Sequence, residues 1–258
     1  MNKIGVIGCG WLGMPLAIHL ATLFSRVKGT SRSTIKLEEL QRNGVDAFLI
    51  LLETNQIKGN FNAFIRDLDT LVIAVNASAT EEYFQKMETL CNYVVKSDVK
   101  NIIFLSSTSV YEDVNKVVDE NEILNPQSIN VRVENIFKKN PRFNTTILRL
   151  GGLVGEDRHP ITSITGKEMR QNPNTPINLV HRKDCINIIT QIIQKKIWNE
   201  TFNVVYPYHP SKIEYYTKIA KERNLAPPKY DENIEFKGKV VSSTKLIEHL
   251  SYMFSYEI

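Results

Sequence analysis

Several features that would place this sequence in a special class are absent or scarce. The chain has only 3 cysteines, Cys9, Cys91 and Cys185, far apart and without a CxxC pair, so it predicts neither a disulfide framework nor a cysteine-based metal site. No apolar run approaches the roughly 20 residues that a membrane-spanning helix needs. The net charge of +4 is small and no dense basic block occurs, so nucleic acid is not an expected partner.

The first residues also lack the charged and apolar regions of a signal peptide, because the chain leads directly into a strand-like segment. The cysteine usage favours a reducing compartment. We therefore expect a cytoplasmic protein, a monomer or a homodimer, without a membrane partner.

What the sequence does contain is an alternation of short apolar runs and helix-period segments. The pattern predicts strands near residues 4–7, 26–29, 45–52, 71–75, 101–105, 145–150 and 202–205. It predicts helices near residues 11–24, 35–43, 81–96, 129–139 and 184–197. Such alternation is typical of a doubly wound parallel sheet with helices on both faces, which is the α/β Rossmann architecture.

From about Val154 this regularity is lost and prolines become frequent. This part has too few apolar runs for an independent core, so it predicts a small C-terminal substrate-binding lobe that leans on the main sheet and forms a cleft with it. The predicted dinucleotide-binding domain comprises residues 1–153 and about 178–206. The predicted lobe comprises about 154–177 and 207–258.

The first strand-to-helix turn contains GCGWLG, in which Gly8, Gly10 and Gly13 have the spacing of a dinucleotide-binding loop. In such a loop the first glycine permits a tight turn, the second lets the backbone approach a diphosphate, and the third lets helix and strand pack closely. The helix amides and dipole favour the anion. We predict that these glycines, with Trp11 and Leu12 between them, bind the cofactor.

The second strand bears on which dinucleotide binds. A carboxylate about 20 residues after the loop would bind the ribose 2′-hydroxyl of NAD, whereas an arginine would accept the 2′-phosphate of NADP. No acidic residue precedes Glu38 and the strand leads into GTSR, so Ser31 and Arg32 favour NADP, with NAD as the alternative. Asn76 and Ala77, after the fourth strand, are predicted to pass the cofactor's ribose and diphosphate.

Four later segments follow in a fixed order: FLSSTSVYED at residues 104–113, LRLGGLVGEDRHP at 148–160, NLVHRKDCINII at 178–189 and KGKVVSSTKLIEHLSYMF at 237–254. With the glycine loop, they make the chain resemble the extended short-chain dehydrogenase/reductase superfamily, of the NAD-dependent epimerase/dehydratase type. The resemblance covers nearly the whole chain. It implies a Rossmann fold, a nicotinamide dinucleotide and a small or nucleotide-linked substrate.

The resemblance also implies site residues. Ser107 matches the family's active-site hydroxyl, which orients a substrate carbonyl or the nicotinamide amide, although a strand-end hydroxyl that ties down a turn is an equal alternative. Ser106 is implied to lie beside the cofactor. Tyr111 is the nearest phenol, and it is either a replacement acid or, as is usual for the family's Val-Tyr pair, part of the scaffold.

Two departures from the family pattern matter. The loop is GxGxxG rather than GxxGxxG, which suits a 6-phosphogluconate or hydroxy-acid dehydrogenase equally well, although this chain has no room for their large all-helical domain. The family's Tyr and Lys are matched by Asn130 and Glu134, and no tyrosine occurs between Tyr111 and Tyr206. An amide cannot titrate, so general acid–base catalysis, which contributes about 10²- to 10⁴-fold, should be lost by this route.

Four further polar residues have both a functional and a plainer interpretation. His181, Arg182 and Asp184 resemble the family's stretch near the substrate phosphate, or they are two surface residues and a helix cap. His159 follows a glycine-containing loop and could face the cleft. None of them has neighbours at metal-ligand spacing, so no metal site is predicted.

Two functions remain open from these observations. The first is an NAD(P)-binding oxidoreductase or epimerase-like enzyme with an altered proton relay. The second is a catalytically inactive dinucleotide-binding sensor or regulatory protein.

Overall fold

The computed structural model describes residues 3–258. Its strands are β1 (Lys3–Ile7), β2 (Arg26–Ser31), β3 (Asp46–Leu49), β4 (Leu51–Leu52), β5 (Ile57–Lys58), β6 (Thr70–Ile73), β7 (Asn101–Ser107), β8 (Val117–Val118), β9 (Asn144–Leu150), β10 (Gly152–Val154), β11 (Glu168–Met169), β12 (Leu179–His181), β13 (Thr201–Val204), β14 (Lys229–Tyr230) and β15 (Val240–Val241). Its helices are α1 (Gly13–Leu23), α2 (Thr34–Arg42), α3 (Phe61–Ile65), α4 (Glu81–Val94), α5 (Ile129–Lys138), α6 (Ile161–Ile164), α7 (Arg182–Lys195), α8 (Lys212–Glu222) and α9 (Thr244–Leu250).

The main sheet has 7 strands in the order β13-β9-β7-β6-β1-β2-β3. β1 lies between β2 and β6 and is parallel to both, with Ile4 opposite Val27 on one side and Thr70 on the other. The strand order therefore reverses beside β1, and ligands of doubly wound sheets bind at such a reversal, outside the carboxyl ends of the strands. The predicted α/β doubly wound fold is confirmed, and each predicted strand corresponds to a strand of this sheet.

The central strands form where the sequence is most continuously apolar. β6 is buried along its whole length and β1 is buried except at Lys3, because helices cover both faces of a parallel sheet. α4 begins after Thr80, whose hydroxyl accepts a hydrogen bond from the Tyr83 N–H at 3.3 Å. Its buried face has helical spacing and comprises Tyr83, Met87, Leu90, Cys91 and Val94.

The chain forms two compact units. The first comprises the residues up to Val110 together with Asn125–Arg149 and Ile186–Thr201, and the second comprises Tyr111–Leu124, Leu150–Cys185 and Phe202–Ile258. The segment Tyr111–Leu124, which the sequence assigned to the dinucleotide-binding domain, lies in the second unit, where β8 pairs with β15. Within residues 3–258, no helix is both long and apolar enough to cross a membrane.

The second unit has a hydrophobic cluster of its own, which the sequence analysis did not expect. The buried members of this cluster are Val154, Ile161, Ile177, Leu179, Tyr215, Tyr216, Ile219 and Ala220. That prediction depends on the scarcity of apolar runs, whereas the buried side chains of this cluster come singly or in pairs from separate positions in the sequence. Half of the cluster comes from α8, whose amphipathic pattern includes two tyrosines and was not recognised.

Candidate functional site

Two glycines in the turn between β1 and α1 are required by the fold itself. Gly8 has a φ of +90°, and a Cβ there would lie 2.7 Å from the carbonyl oxygen of Ala74. A Cβ at Gly13 would overlap with the carbonyl oxygen of Gly8. Backbone segments approach so closely at these two positions that no side chain can be accommodated without a shift.

Gly10 differs from its two neighbours in the motif, because the fold does not require it. Its φ is not positive. A Cβ at Gly10 would have only the Gly8 carbonyl oxygen within 4 Å, at 3.9 Å, among the residues that the structure describes. The second glycine of a dinucleotide-binding loop is the one that lets a diphosphate approach the backbone. Packing within the protein therefore does not explain the glycine at position 10, whereas the approach of a ligand to the backbone would explain it.

The amides of this loop divide into those that have an acceptor in the protein and those that do not. The Gly10 N–H belongs to the first group, because it donates to the Gly8 carbonyl oxygen at 2.7 Å. The N–H of Gly8 donates to Thr30 Oγ1 at 3.1 Å, and the N–H of Cys9 donates to the Thr30 carbonyl oxygen at 2.8 Å. The N–H groups of Leu12 and Gly13, at the start of α1, have no acceptor within residues 3–258. First-turn amides of this kind, at the positive end of the helix dipole, are suited to bind a phosphate.

A cavity of about 680 Å³ lies over the loop, at the carboxyl ends of β1, β2 and β6. The predicted cofactor-binding residues that line it are Gly8, Gly10, Ser31, Arg32 and Asn76. The remaining predicted residues do not line it: Trp11, Leu12 and Gly13 lie at the start of α1, Ala77 follows β6, and Ser106 lies near the end of β7.

The charged side chains around this cavity are mainly cationic. Arg32, Lys36 and Lys86 line it, with Glu82 as the carboxylate among its lining residues. Lys86 and Glu82 pair at 2.5 Å, one helical turn apart. Arg32 and Lys36 form no ion pair with any residue that the structure describes. The end of β2 and the start of α2 therefore leave two cationic side chains available to an anion.

Three lining residues on α4 are not among the predicted site residues: Glu82, Tyr83 and Lys86. The available signal was their place in the first two turns of the helix that follows β6, since helix starts meet the carboxyl edge of a parallel sheet. Burial and the negative charge of Glu134 raise the pKa of the Tyr83 phenol. This tyrosine is therefore neutral near physiological pH.

The two positions that match the family's Tyr and Lys are both buried on α5. The Asn130 amide donates to Ser109 Oγ at 3.0 Å. Glu134 forms an ion pair with Arg149 in which each side chain is only 4% exposed, with Nε and Nη2 at 3.0 and 2.8 Å from the two carboxylate oxygens. The Ser106 hydroxyl donates to the same carboxylate at 2.6 Å. Where the family has a lysine, this chain has a neutralised internal ion pair.

The hydroxyl groups of both predicted catalytic residues are hydrogen-bonded within the protein. Ser107 Oγ accepts a hydrogen bond from the Ser109 N–H at 3.2 Å, so this hydroxyl does tie down the turn after β7. In the second unit, the buried Tyr111 phenol donates to Asn203 Oδ1 at 2.8 Å. Their catalytic assignment stays a prediction, as does the assignment of Ser106 to the cofactor.

The candidate histidines and their neighbours all lie in the second unit. His159 accepts the Ile161 N–H at Nδ1 (3.1 Å), and its Nε2 lies 2.8 Å from the Tyr215 hydroxyl. Burial lowers the pKa of His159 to about 4, so this imidazole is neutral at physiological pH. The packing therefore supports a structural role for His159.

His181, Arg182 and Asp184, at the start of α7, contact other residues of the second unit. His181 Nδ1 accepts the Lys183 N–H at 3.2 Å, which makes this histidine a helix-capping group. The buried Asp184 carboxylate accepts hydrogen bonds from the Tyr252 hydroxyl at 2.7 Å and from the Ser255 N–H at 3.1 Å, so it holds the C-terminal segment. Arg182 pairs with Asp157 at 3.3 Å. In the part of the chain that the structure describes, no group of three His, Cys, Asp or Glu side chains could hold a metal ion.

Comparison with known proteins identifies a family for residues 3–131 and a relative of the whole chain. Residues 3–131 match the family described as the NAD binding domain of 6-phosphogluconate dehydrogenase. Over 99% of this chain and 97% of the relative, the sequence is 32% identical to Protein YeeZ of Escherichia coli strain K12. The family match agrees with the GxGxxG spacing.

Solved structures share the fold at low sequence identity. UDP-glucuronic acid 4-epimerase from Bacillus cereus, in complex with UDP-glucuronic acid and NAD, is 16% identical with a TM-score of 0.81 over 99% of this chain and 95% of that chain. UDP-glucose 4-epimerase from Thermus thermophilus, in complex with NAD, is 15% identical with a TM-score of 0.79 over the same shares. At this level the likeness establishes the fold alone, so membership of the extended short-chain dehydrogenase/reductase superfamily stays a hypothesis.

The buried ion pair on α5 predicts that Glu134→Lys is strongly destabilising. The substitution would place an ammonium beside the Arg149 guanidinium with almost no solvent access, and loss of a buried partner costs about 3–5 kcal/mol. We expect a large decrease in the free energy of unfolding, measured by chemical denaturation.

Glu81→Lys is the matched control, because it breaks the solvent-exposed ion pair with Arg132 on the neighbouring helix, at 2.9 Å. Exposed pairs contribute about 0–1 kcal/mol. Equal stability of the two variants would contradict the assigned role of the Glu134–Arg149 pair.

Proposed function

We propose that this chain binds NADP in preference to NAD. The chain belongs to the family of Protein YeeZ, and its residues 3–131 belong to the family of the NAD binding domain of 6-phosphogluconate dehydrogenase. The dinucleotide binds at the carboxyl ends of β1, β2 and β6. The observation that carries this proposal is Gly10, where a bare backbone next to the first-turn amides of α1 has no packing explanation.

The diphosphate site comprises Gly8, Gly10 and the residues that lead into α1, from Trp11 to Gly13. The amides of Leu12 and Gly13 are the donors for phosphate oxygens, and the helix dipole favours the negative charge. Asn76 lines the same cavity and Ala77 follows it, so the segment after β6 passes the ribose and diphosphate. A cavity of about 680 Å³ is in the usual size range of cofactor sites.

Preference for NADP is supported by the residues at the end of β2. Arg32 and Lys36 line the cavity and form no ion pair with described residues, whereas the acidic lining residue, Glu82, is already paired with Lys86. A guanidinium with an adjacent hydroxyl, that of Ser31, suits a 2′-phosphate, since arginine binds phosphate oxygens through several donors at once. A carboxylate that would bind the 2′-hydroxyl of NAD is missing from β2.

The chemistry that we propose is that of an oxidoreductase or epimerase-like enzyme acting on a small or nucleotide-linked substrate. The nicotinamide ring of a bound dinucleotide accepts or donates a hydride. Ser107 is the proposed residue that orients the substrate oxygen and Tyr111 the proposed replacement acid. The proton relay differs from that of the superfamily that the sequence resembles. Asn130 cannot exchange a proton, and the Glu134 carboxylate is occupied by its ion pair with Arg149.

A second candidate is a dinucleotide-binding sensor without turnover. It is favoured by Asn130 and Glu134 on α5, because neither residue supplies the titrating group of a proton relay. A sensor needs different affinities for the oxidised and reduced cofactor, because a ligand shifts a protein between two states only through such a difference. For either function we propose a cytoplasmic location, in which the buried free thiols of Cys9, Cys91 and Cys185 stay reduced.

Substitution of Gly10 tests the diphosphate site. Gly10→Val should reduce the affinity for NADP and for NAD by more than about 100-fold, because the side chain would occupy the space of a diphosphate oxygen. The fold should persist, since no neighbour restricts a side chain there. Isothermal titration calorimetry measures the affinity and circular dichroism checks the fold.

Gly44→Asn is the control for Gly10→Val, because a Cβ at Gly44 would have no atom within 4 Å. Gly44 has a φ of +78°. Asparagine tolerates this backbone conformation better than most residues. Its dinucleotide affinity should equal that of the wild type. Unchanged binding by Gly10→Val would contradict the proposed site.

Substitution of the two unpaired cations tests the preference for NADP. The double variant Arg32→Ala, Lys36→Ala should bind NADP about 10- to 100-fold more weakly and should bind NAD with unchanged affinity, since only NADP carries the 2′-phosphate. Arg42→Ala, at the far end of α2, is the control. Equal losses for the two cofactors would show that these residues do not read the 2′-phosphate.

Turnover separates the two candidate functions. We expect purified protein with NADP or NADPH to change the absorbance of reduced nicotinamide with at least one compound of a panel of nucleotide-linked sugars, aldehydes and ketones. Ser107→Ala should lower that rate by about tenfold or more. Binding without turnover across the panel, with unequal affinities for NADP and NADPH, would support the sensor instead.

A further inference from the structure

Thr30, at the carboxyl end of β2, contacts the glycine loop through two different atoms. Its hydroxyl oxygen accepts the Gly8 N–H at 3.1 Å, and its carbonyl oxygen accepts the Cys9 N–H at 2.8 Å. The residue is only 3% exposed, yet it lines the cavity. A single residue of β2 thus fixes two consecutive amides of the loop.

The loop packs against β2 through side chains as well. A Cβ at Gly29 would lie 2.9 Å from Cys9 Sγ, so β2 has no room for a side chain where the loop crosses it. Cys9 is itself buried, and its thiol points to the Val6 carbonyl oxygen at 3.7 Å. The loop and the end of β2 therefore form one packed body, in which the Thr30 hydroxyl provides a side-chain hydrogen bond.

The direction of these hydrogen bonds matters for a bound diphosphate. The Gly8 and Cys9 amides are used by Thr30, so they are not donors to a ligand, and they hold the loop in the conformation that leaves the backbone at Gly10 bare. The next two residues after Thr30 are Ser31 and Arg32, which line the cavity. Thr30 therefore lies between Ser31 and Arg32, which are proposed to bind the 2′-phosphate of the ribose, and the loop proposed to bind the diphosphate.

We propose that Thr30 is a positioning residue that sets the conformation of the glycine loop and thereby the affinity for every dinucleotide, independently of the 2′-phosphate. This inference rests on the proposed function and extends it. Thr30 acts on the ligand indirectly, through the Gly8 amide. Arg32 and Lys36, in contrast, are proposed to contact the 2′-phosphate itself.

Thr30→Val tests the inference, because valine keeps the shape of threonine and removes the hydroxyl acceptor. The Gly8 N–H would lose its partner, and the loop would keep only the backbone bond from the Cys9 N–H to the residue-30 carbonyl oxygen as its hydrogen bond to this position. We expect NADP, NAD and ADP-ribose each to bind about tenfold more weakly, by the same factor, in calorimetric titrations. Thr30→Ser keeps the hydroxyl and should restore affinity to within about twofold of the wild type.

Thr146→Val is the matched control. Thr146 is a fully buried strand threonine whose hydroxyl also bonds to the backbone, donating to the Ile197 carbonyl oxygen at 3.0 Å, but it does not line the cavity. A general effect of losing one buried hydroxyl would appear in both variants. A positioning effect appears in Thr30→Val alone.

Two affinity results would overturn the inference. Unchanged affinity of Thr30→Val for all three ligands would show that the hydroxyl does not set the loop conformation. Weaker binding of NADP alone would show that Thr30 reads the 2′-phosphate instead of positioning the loop.

Hydrogen exchange gives a readout that needs no ligand. In Thr30→Val the Gly8 amide should exchange at least about tenfold faster than in the wild type, and Thr30→Ser should restore its protection. Unchanged protection would overturn the inference. Wild-type protein that binds none of the three ligands would overturn the proposed function, and the exchange rates would then decide separately whether Thr30 holds the loop.

Discussion

The structure depends on the close approach of backbone to backbone where β1 turns into α1. Gly8 lies against the carbonyl oxygen of Ala74, and Gly13 lies against that of Gly8. Because no side chain intervenes, α1 starts directly above the end of β1, and its first-turn amides reach the edge of the sheet where the strand order reverses. The proposed diphosphate site follows from this turn, whereas the cationic lining comes from the end of β2, from α2 and from α4.

A second constraint lies in the buried ion pair of α5. The two α5 positions that the resemblance matches to a tyrosine and a lysine hold the amide of Asn130 and the carboxylate of Glu134, and this carboxylate is bound by Arg149 and Ser106. A buried ion pair of this kind stabilises the native arrangement only while both partners are present. A lysine in place of Glu134 would therefore require a change at Arg149 as well. The chain combines a complete dinucleotide loop with a helix that has no titrating phenol.

Much of the main sheet could be predicted from sequence because its signals are local. Strand–turn–helix alternation and the glycine spacing depend on neighbouring residues, so the seven strands followed from pattern. Gly8, Gly10, Ser31 and Arg32, which the pattern also singles out, line the cavity at the edge of this sheet. The second unit could not be predicted in the same way. Its core is assembled from single apolar residues and short strands that are far apart in sequence, and α8 carries tyrosines on its buried face.

The site shows the same division between local and long-range signals. The glycine spacing indicates the loop, but the hydrogen bond between Gly8 and Thr30 joins residues 22 positions apart, and the Ser106–Glu134 bond joins residues 28 apart. Such pairings carry no pattern in a single sequence. Tyr83 and Lys86 reach the cavity only because α4 begins at the same edge of the sheet as the glycine loop.

Calorimetric titration of the wild-type protein with NADP and NAD at low and high salt decides whether this cavity binds a dinucleotide. We expect one site per chain, tighter binding of NADP at low salt, and a difference between the two affinities that narrows as salt screens the 2′-phosphate from Arg32 and Lys36. The absence of binding heat with both dinucleotides would refute the proposed site.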